Sequence, residues 1–234
     1  MTKYYKLTNE KEIHNGFQYK DGKNEDHLPF NETGSCCPGG LYFSDSENIL
    51  QFIDSKMYWI REVSPDTENM VKDPDNNPIK WRSKSLDCQP RKSLHDINTW
   101  IWMMDQGILN NQKSIDYALQ WSSENGHLEV VKFLVEKFDK QLSQEHIDYA
   151  LSWSSDNGHL DVVTVLVEKF DKQFSQDSID YALRCSLNNG HLDVVKFLVE
   201  KFDKFSQDYI DYALQWSSKY GHLEIHNYLK EKFS

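Results

Sequence analysis

The apolar positions in the second half of the chain follow two helical patterns that alternate. In one segment they keep the i, i+3, i+4 spacing of a single helical face: Ile147, Ala150, Leu151 and Ser154. Ser143 stands before this segment as a good N-cap, so a helix is predicted at about 144–156. In the next segment the helix is apolar nearly all round: Leu160, Val162, Val163, Val165, Leu166, Val167 and Phe170. Such a helix is typical of one pressed between neighbours.

This helix pair occurs four times. The sequence Ile-Asp-Tyr-Ala-Leu begins at four positions, Ile115, Ile147, Ile179 and Ile210. A Gly-His-Leu follows each copy, and its glycines are 32, 32 and 31 residues apart: Gly126, Gly158, Gly190 and Gly221. A fixed period of this length predicts a stacked array in which each unit contacts its neighbours. We predict repeats at about 111–141, 143–173, 175–204 and 206–234.

Both ends of the array are predicted to be capped. Apolar residues recur at helical spacing within 94–106, which predicts a capping helix before the first repeat. In the last repeat, residues 224–228 (Glu-Ile-His-Asn-Tyr) replace the apolar run of the other copies. Terminal repeats need such a polar outer face. We therefore expect four complete repeats in a domain at 94–234.

Residues 1–93 show no repeat and are expected to form a separate small α+β domain. Short strands are predicted at 3–7, 17–20, 41–43, 57–63 and 79–82. The sequence Ser44-Asp45-Ser46-Glu47 matches a capping box, followed by apolar residues, and predicts a helix there. The predicted fold class is thus mainly α: an α-solenoid of four helix pairs behind a small α+β domain.

The segment 125–137, Asn-Gly-His-Leu-Glu-Val-Val-Lys-Phe-Leu-Val-Glu-Lys, resembles the second-helix consensus of ankyrin repeats. Its combination with Ile-Asp-Tyr-Ala-Leu is similar to the ankyrin-repeat proteins of mimivirus-like giant DNA viruses. The resemblance implies a protein-binding solenoid. Two departures are visible, since Tyr-Ala-Leu-Ser-Trp-Ser-Ser stands at 149–155 instead of Thr-Pro-Leu-His-x-Ala-Ala, and Phe-Asp-Lys replaces Gly-Ala-Asp. The β-hairpin fingers of the family are therefore expected to be short or absent.

Charge narrows the class of partner. The chain carries a net charge of −11, and residues 94–234 hold 13 Lys and Arg against 22 Asp and Glu, a net of −9. An acidic array repels phosphate backbones, so we expect a protein partner and no nucleic acid. Without an apolar run long enough for a membrane span or a secretory signal, we expect a cytoplasmic protein, in the host cell if viral. A monomer with four free thiols is expected.

Several motifs are expected to carry no chemistry. Histidines that recur at the start of the second helices could be taken for a metal ladder: His127, His159, His191 and His222. Zinc needs nitrogens at about 2.1 Å, whereas stacked helices lie about 8–10 Å apart, so hydrogen-bonding turn residues are predicted. The stretch 36–40, Cys-Cys-Pro-Gly-Gly, lacks the lysine of a phosphate loop. We find no catalytic motif and predict no enzymatic activity, metal or cofactor.

Aromatic residues at i, i+4 on the first helix of each pair form the most interesting pattern: Tyr117/Trp121, Tyr149/Trp153, Tyr181/Cys185 and Tyr212/Trp216. They either fill the grooves between repeats or form an exposed row of binding anchors. The third copy departs from the others at Arg184 and Cys185. The predicted protein-binding residues lie on this first-helix face: Gln120, Trp121, Ser152, Trp153, Arg184, Cys185, Gln215, Trp216, His146, Ser178 and Tyr209.

The main functional hypothesis is thus an intracellular adaptor that binds a protein, of the host if the chain is viral, through its first-helix face. An alternative from another class is that residues 1–93 form a small ligand-binding or enzymatic domain that the array targets. A pocket with convergent polar groups would favour this alternative. The residues to look for there are His14, Asp26, His27 and Cys36.

Overall fold

A computed structural model describes residues 2–75, 77–202 and 205–233. The chain divides into two compact units, Met1–Ala118 and Leu119–Ser234. The described strands all lie in the first unit, and most of the helix pairs lie in the second. The predicted fold class, a mainly α repeat array behind a strand-rich N-terminal part, is confirmed.

An eight-stranded antiparallel sheet dominates the first unit. The strands are β1 Tyr4–Asn9, β2 Ile13–His14, β3 Phe17–Gln18, β4 Gly22–Glu25, β5 Leu41–Asp45, β6 Met57–Pro65, β7 Met70–Lys72, β8 Trp81–Ser83, β9 Ser85–Cys88 and β10 Lys92–Ser93. The order in the sheet is β4-β9-β6-β1-β5-β8-β7, with β10 also paired to β6, while β2 and β3 form a separate hairpin. One apolar cluster packs on this sheet: Tyr19, Leu41, Phe43, Val63, Leu86 and Cys88.

All five strands predicted from alternation are present, as β1, β3, β5, β6 and β8. Of the other strands, β9 does alternate and was missed, with Leu86 and Cys88 buried, whereas the rest are too short or too polar to show alternation. In β4, for example, the sequence is Gly-Lys-Asn-Glu, and its buried residue is Asn24, whose side chain bonds to the backbone of Lys20 and Gly22. Pairing with β9 therefore makes this segment a strand, and pairing over such a sequence distance does not show in the local pattern.

The helix predicted after the capping box at 44–47 is wrong. The structure has a single 3-10 turn at Ile49–Phe52, and its N-cap, Asn48, makes no side-chain cap bond. Asp45 ends β5 instead, and its carboxylate accepts hydrogen bonds from the backbone N–H groups of Glu47 at 3.1 Å and Asn48 at 2.9 Å. An Asx turn thus takes the place of the capping box, because Asp offers the backbone an alternative to the helix.

A helix at the predicted capping position, α1 at Ile97–Asp105, belongs to the first compact unit. Asp96 is its N-cap and accepts from the backbone N–H of Asn98. Trp100 is fully buried and donates its indole N–H to the Leu94 carbonyl at 2.7 Å. The domain boundary at 93/94 remains a prediction, because the compact units divide farther along the chain.

Four helix pairs follow α1 within the described residues: α2 Gln112–Glu124, α3 Leu128–Lys137, α4 Gln144–Asp156, α5 Leu160–Phe170, α6 Gln176–Asn189, α7 Leu192–Lys201, α8 Gln207–Lys219 and α9 Leu223–Lys232. In the second unit, the first helices of successive repeats pack in one layer and the second helices in another. The apolar faces predicted for 144–170 are buried as expected. The connections at 138–143 and 171–175 are turns with no strand, as the missing finger motif predicted.

Side-chain N-caps hold the first helix of each pair. Ser143, the predicted cap of α4, accepts a hydrogen bond from the backbone N–H three residues later, and so do Asn111, Ser175 and Ser206 at the equivalent positions. Such a bond satisfies one of the four amide groups that a helix start leaves without an intrahelical partner. The local sequence is sufficient to place these helix starts.

Ser143→Ala is expected to lower the free energy of unfolding by about 1 kcal/mol, because the first turn of α4 loses its cap. Chemical denaturation followed by circular dichroism measures this change. Ser143→Asp, which keeps an oxygen acceptor, is the control and should stay close to wild type. Equal losses in both variants would show that the cap bond does not support α4.

Candidate protein-binding site

The recurring histidines join one repeat to the next. The Nε2 atoms of His159, His191 and His222 lie 3.0, 2.8 and 3.1 Å from carbonyl oxygens near the end of the preceding first helix, those of Glu124, Asp156 and Asn188. A carbonyl only accepts, so each imidazole is protonated at Nε2 and donates. The prediction of hydrogen-bonding turn residues is confirmed for these three histidines. No group of three potential metal ligands occurs in the described ranges.

Each of these rings lies against a glycine of the preceding repeat. Gly158 has a φ of +72°, and a Cβ added there would lie 2.5 Å from Nδ1 of His191. Gly126 and Gly190 meet His159 and His222 in the same way. Glycine is therefore required for two reasons: the turn has a left-handed φ, and the imidazole ring occupies the position of a Cβ atom. At Gly221, in the last repeat, an added Cβ would have no neighbour within 4 Å.

The aromatic row does not have a single environment. Trp121 is buried at 2% exposure, whereas Tyr149, Trp153 and Tyr181 are 44%, 41% and 48% exposed. In the fourth repeat, Trp216 is half-buried between other rings: its centroid lies 5.3 Å from Tyr212 and 4.9 Å from Tyr220. Trp121 of the first repeat is thus buried, and the rings of the second and third repeats face solvent. Trp216 of the fourth repeat packs between Tyr212 and Tyr220 of the same repeat.

An open groove of about 470 Å³ lies between α4 and α6, where the exposed rings stand. Its lining is Asp148, Tyr149, Ser152, Trp153, Asp156, Asp177, Ser178, Tyr181 and Cys185. Four of the predicted binding residues meet here, namely Ser152, Trp153, Ser178 and Cys185. The three aspartates were not predicted, although Asp148 belongs to the repeated Ile-Asp-Tyr-Ala-Leu.

The remaining predicted residues lie outside this lining. Arg184 and Gln215 are exposed, Gln120 and Trp216 are half-buried, and Trp121 is buried. Two first-turn residues have structural partners: His146 Nδ1 lies 2.9 Å from Ser143 Oγ, and the Tyr209 hydroxyl donates to the Asp180 carbonyl at 2.6 Å. Four of the eleven predicted residues therefore share one groove, between the second and third repeats.

The small side chain of Cys185 leaves this groove open. The other three repeats carry tryptophan at the equivalent position, so an indole would occupy the space beside Trp153 and Tyr181. Burial, followed by the charge of Asp156, raises the pKa of the Cys185 thiol to about 11. The thiol is therefore protonated at neutral pH and is a poor nucleophile.

The groove carries negative charge on its rim. Gln144 orients the Asp148 carboxylate by a hydrogen bond of 2.9 Å, and Asn189 orients that of Asp156 at 2.8 Å. Within the described part of the chain, Asp148, Asp156 and Asp177 form no ion pair. Arg184 stands beside the groove, and its guanidinium carbon lies 4.8 Å from the Tyr181 ring centroid. The site thus combines aromatic faces with carboxylates that form no ion pair among the described residues.

In the first unit, the residues named for the alternative hypothesis do line a common pocket. His14, Asp26, His27 and Cys36 surround a space of about 460 Å³. The Asp26 carboxylate is held by the backbone, because it accepts from the N–H groups of Gly40 at 2.7 Å and Leu28 at 3.0 Å. Asp26 therefore shapes the pocket wall.

Stacked helix pairs, joined by a Gly-His contact at each step, define a repeat protein of the solenoid class. The family model described as "Ankyrin repeats (3 copies)" matches residues 94–178 and 151–234. The chain belongs to the ankyrin-repeat family, whose repeats are protein-interaction modules. No helix within the described ranges is long and apolar enough to cross a membrane.

The curated relatives include proteins of Acanthamoeba polyphaga mimivirus, as the sequence resemblance indicated. Putative ankyrin repeat protein R868 is 33% identical over 139 residues, 57% of this chain and 66% of the relative. Putative ankyrin repeat protein R229 is 33% identical over 142 residues, 55% of this chain and 46% of the relative. The chain thus spans about two thirds of the first relative and about half of the second.

Among solved structures, the yeast ribosomal protein Rps3 in complex with its chaperone Yar1 includes a similar chain. The similarity covers 53% of this chain and 95% of that chain, at 22% identity and a TM-score of 0.40.

Proposed function

We propose that the repeat array binds a protein through the groove between α4 and α6, and that the partner inserts an arginine or lysine side chain from a basic segment. The observation that carries this proposal is the combination of exposed rings and uncompensated carboxylates in one groove. An aromatic residue that no neighbouring repeat covers is available to a partner, and Trp and Tyr are frequent binding anchors.

The rings favour a cation as the inserted group. Ammonium and guanidinium groups are attracted to the faces of Trp and Tyr within about 6 Å of the centroid. Arg184 already makes such a contact with Tyr181 inside the chain. The face of Trp153, with 41% of the residue exposed, offers the same interaction to a side chain from outside.

The charge of the site favours the same partner. Asp148, Asp156 and Asp177 place three carboxylates around the groove, in a region whose net charge is −9. Because their hydrogen bonds come from neutral amides at Gln144 and Asn189, two of the carboxylates are oriented and keep their charge. Such a potential steers basic partners towards the groove and repels acidic ones.

Neutralising the rim should weaken binding of a basic peptide. We expect Asp156→Asn with Asp177→Asn to raise the Kd for a short fluorescein-labelled arginine-rich peptide by about tenfold, since exposed charge pairs contribute up to about 1 kcal/mol each. Fluorescence anisotropy of the full chain measures the Kd. A peptide with glutamate in place of arginine should not bind.

The matched control removes the same charge elsewhere. Glu136→Gln with Glu168→Gln changes two exposed carboxylates on the second helices α3 and α5. The Kd of this variant should stay within about twofold of wild type, because the effect of a charge falls off over about one Debye length. If both double variants weaken peptide binding equally, the peptide is attracted to the overall charge of the chain. If the wild-type chain does not bind the arginine-rich peptide at all, the proposal of a basic partner is refuted.

A further inference from the structure

Lys6 is a lysine with an unusual environment. It lies in the middle of β1, in the first unit, and is only 4% exposed. Its Nζ atom lies 2.5 Å from Nδ1 of His14 and 5.0 Å from the Tyr19 ring centroid. A buried lysine normally keeps its charge through a carboxylate partner.

The nearby carboxylates pair with another residue. Arg61 lies opposite Lys6 on the neighbouring strand β6. It is fully buried and forms ion pairs with Glu12 and, at 3.0 Å, with Asp21. Within the described residues, no carboxylate lies within ion-pair distance of Lys6 Nζ. The amine therefore has an imidazole, a ring and a thiol around it, and no counterion.

Burial without a counterion favours the neutral amine. It lowers the pKa of Lys6 to about 7, against which the nearby Cys88 has only a weaker, opposing influence. Burial, followed by the charge of Lys6, lowers the pKa of His14 to about 4. A neutral lysine amine is a nucleophile, whereas the ammonium form is not.

The amine lines a pocket of about 420 Å³. Six of the thirteen lining residues are apolar or aromatic: Leu7, Tyr42, Phe43, Ile49, Phe52 and Met57. The polar lining residues include His14, Cys36, Asp54 and Lys80. One further lining residue, Cys36, adopts a left-handed φ of +49° without being glycine. Strained non-glycine residues are concentrated at functional sites.

We propose that this pocket binds small apolar aldehydes and that Lys6 captures them as an imine. The geometry supports this proposal. Lys6, which has no ion-pair partner among the described residues, lines a pocket that is large enough for an aromatic ring. This function would belong to the N-terminal part of the chain and is independent of the partner proposed for the repeat array.

The reaction is a condensation that needs no oxidant or reductant. The lone pair of Lys6 Nζ attacks the carbonyl carbon, and a C–N bond forms. The carbonyl oxygen then leaves as water with the two protons of the amine, so that a C=N bond remains. His14, whose Nδ1 is 2.5 Å from the amine, is the nearest group that can carry one of these protons. The apolar walls favour the loss of water.

The test is reductive trapping on the full chain. Benzaldehyde and cyanoborohydride are added at pH 7, and peptide mapping by mass spectrometry gives the labelling rate of each lysine. At this pH an ordinary lysine, with a pKa of about 10.4, has a free-amine fraction about 10³-fold smaller than one with a pKa of about 7. Lys6 should therefore be labelled at least tenfold faster than the exposed Lys11, even with restricted access. Its rate should saturate with benzaldehyde concentration.

Trapping distinguishes the amine from Cys36, because cyanoborohydride reduces an imine and leaves a thiohemiacetal unreduced. Lys6→Met should abolish the fast labelling, and Lys11→Met should leave it unchanged. Labelling of Lys6 no faster than that of Lys11 would overturn the proposal and make Lys6 a structural amine. A fast rate that rises linearly, without saturation, would also overturn it, since no aldehyde then binds before reacting. Both results come from the unmodified chain, so the test does not depend on the variants folding.

Discussion

Gly158→Ala is expected to lower the free energy of unfolding of the repeat array by about 3 kcal/mol. The left-handed φ of +72° costs an alanine about 1 kcal/mol. The added Cβ would also lie 2.5 Å from Nδ1 of His191, so the ring must move. Its hydrogen bond to the Asp156 carbonyl, 2.8 Å long, is then lost, at a cost of about 1–3 kcal/mol. Denaturation of the full chain, followed by far-ultraviolet circular dichroism, measures the change.

Gly221→Ala is a matched control within the same chain. Gly221 has nearly the same φ, +76°, but an added Cβ meets nothing within 4 Å. This variant should lose only the conformational part, about 1 kcal/mol. The difference between the two variants thus isolates the contact with the next repeat. Equal losses would show that the His191 ring yields freely and that the Gly-His contact does not couple the repeats.

A double variant tests the contact directly. His191→Ala removes the ring that blocks the Cβ, so Gly158→Ala should cost less in that background than in wild type. Residues in direct contact couple in such cycles by about 0.5–3 kcal/mol, whereas independent residues add. Additive losses would contradict the steric explanation, even if both single variants are destabilised.

The repeat array illustrates what a sequence predicts well. The period, the N-caps and the two apolar patterns are local features, and they placed α4 at the residues where the structure has it. The role of the histidines as turn residues was also predicted. Their partners were not, because His191 bonds to Asp156 and packs on Gly158 of the preceding repeat. Only stacking brings these residues together.

The N-terminal part shows the opposite case. Strand alternation located β1 and β6, yet nothing in the local pattern distinguished Lys6 from a surface lysine. Its burial follows from the pairing of β1 with β5 and β6 on both sides, and its lack of a counterion follows from Arg61 taking the carboxylates. The capping box failed for a related reason: the strand β5 continues into the box and leaves Asp45 to form a turn.

For the candidate site, the sequence predicted the first-helix face on which the groove lies, but not the chemistry of the groove. The sequence predicts an aromatic row that is either buried between repeats or exposed. In the structure, the rings of different repeats have different exposures. The departure at Cys185 was the informative signal, because it marks the repeat where the groove opens. Asp156 and Asp177 come from different repeats and meet only across α4 and α6. The net charge of −9 for residues 94–234 includes these aspartates, but the sequence does not show that they lie around one groove.

Cys185→Trp tests whether the open groove is the binding site. Tryptophan is the residue of the other three repeats at this position, and Trp153 shows that a first helix accommodates an exposed indole. The variant should therefore stay within about 1 kcal/mol of wild-type stability, as surface substitutions usually do. The indole would occupy the space beside Tyr181. We expect the Kd for the arginine-rich peptide to rise at least tenfold, since blocking an anchor pocket costs about 2 kcal/mol or more.

Cys185→Ala distinguishes the effect of filling the groove from the effect of removing the Cys185 thiol. Alanine keeps the groove open, so the peptide should bind within about twofold of wild type.

Arg184→Ala frees the Tyr181 face that Arg184 covers at 4.8 Å. In the open groove this change should strengthen peptide binding, because it removes a cation that competes for the ring. In the Cys185→Trp background, Arg184→Ala should not restore peptide binding, because a filled groove admits no side chain, whatever the charge around it. Undiminished binding by Cys185→Trp, measured on a preparation with a wild-type melt, would place the binding face elsewhere on the array.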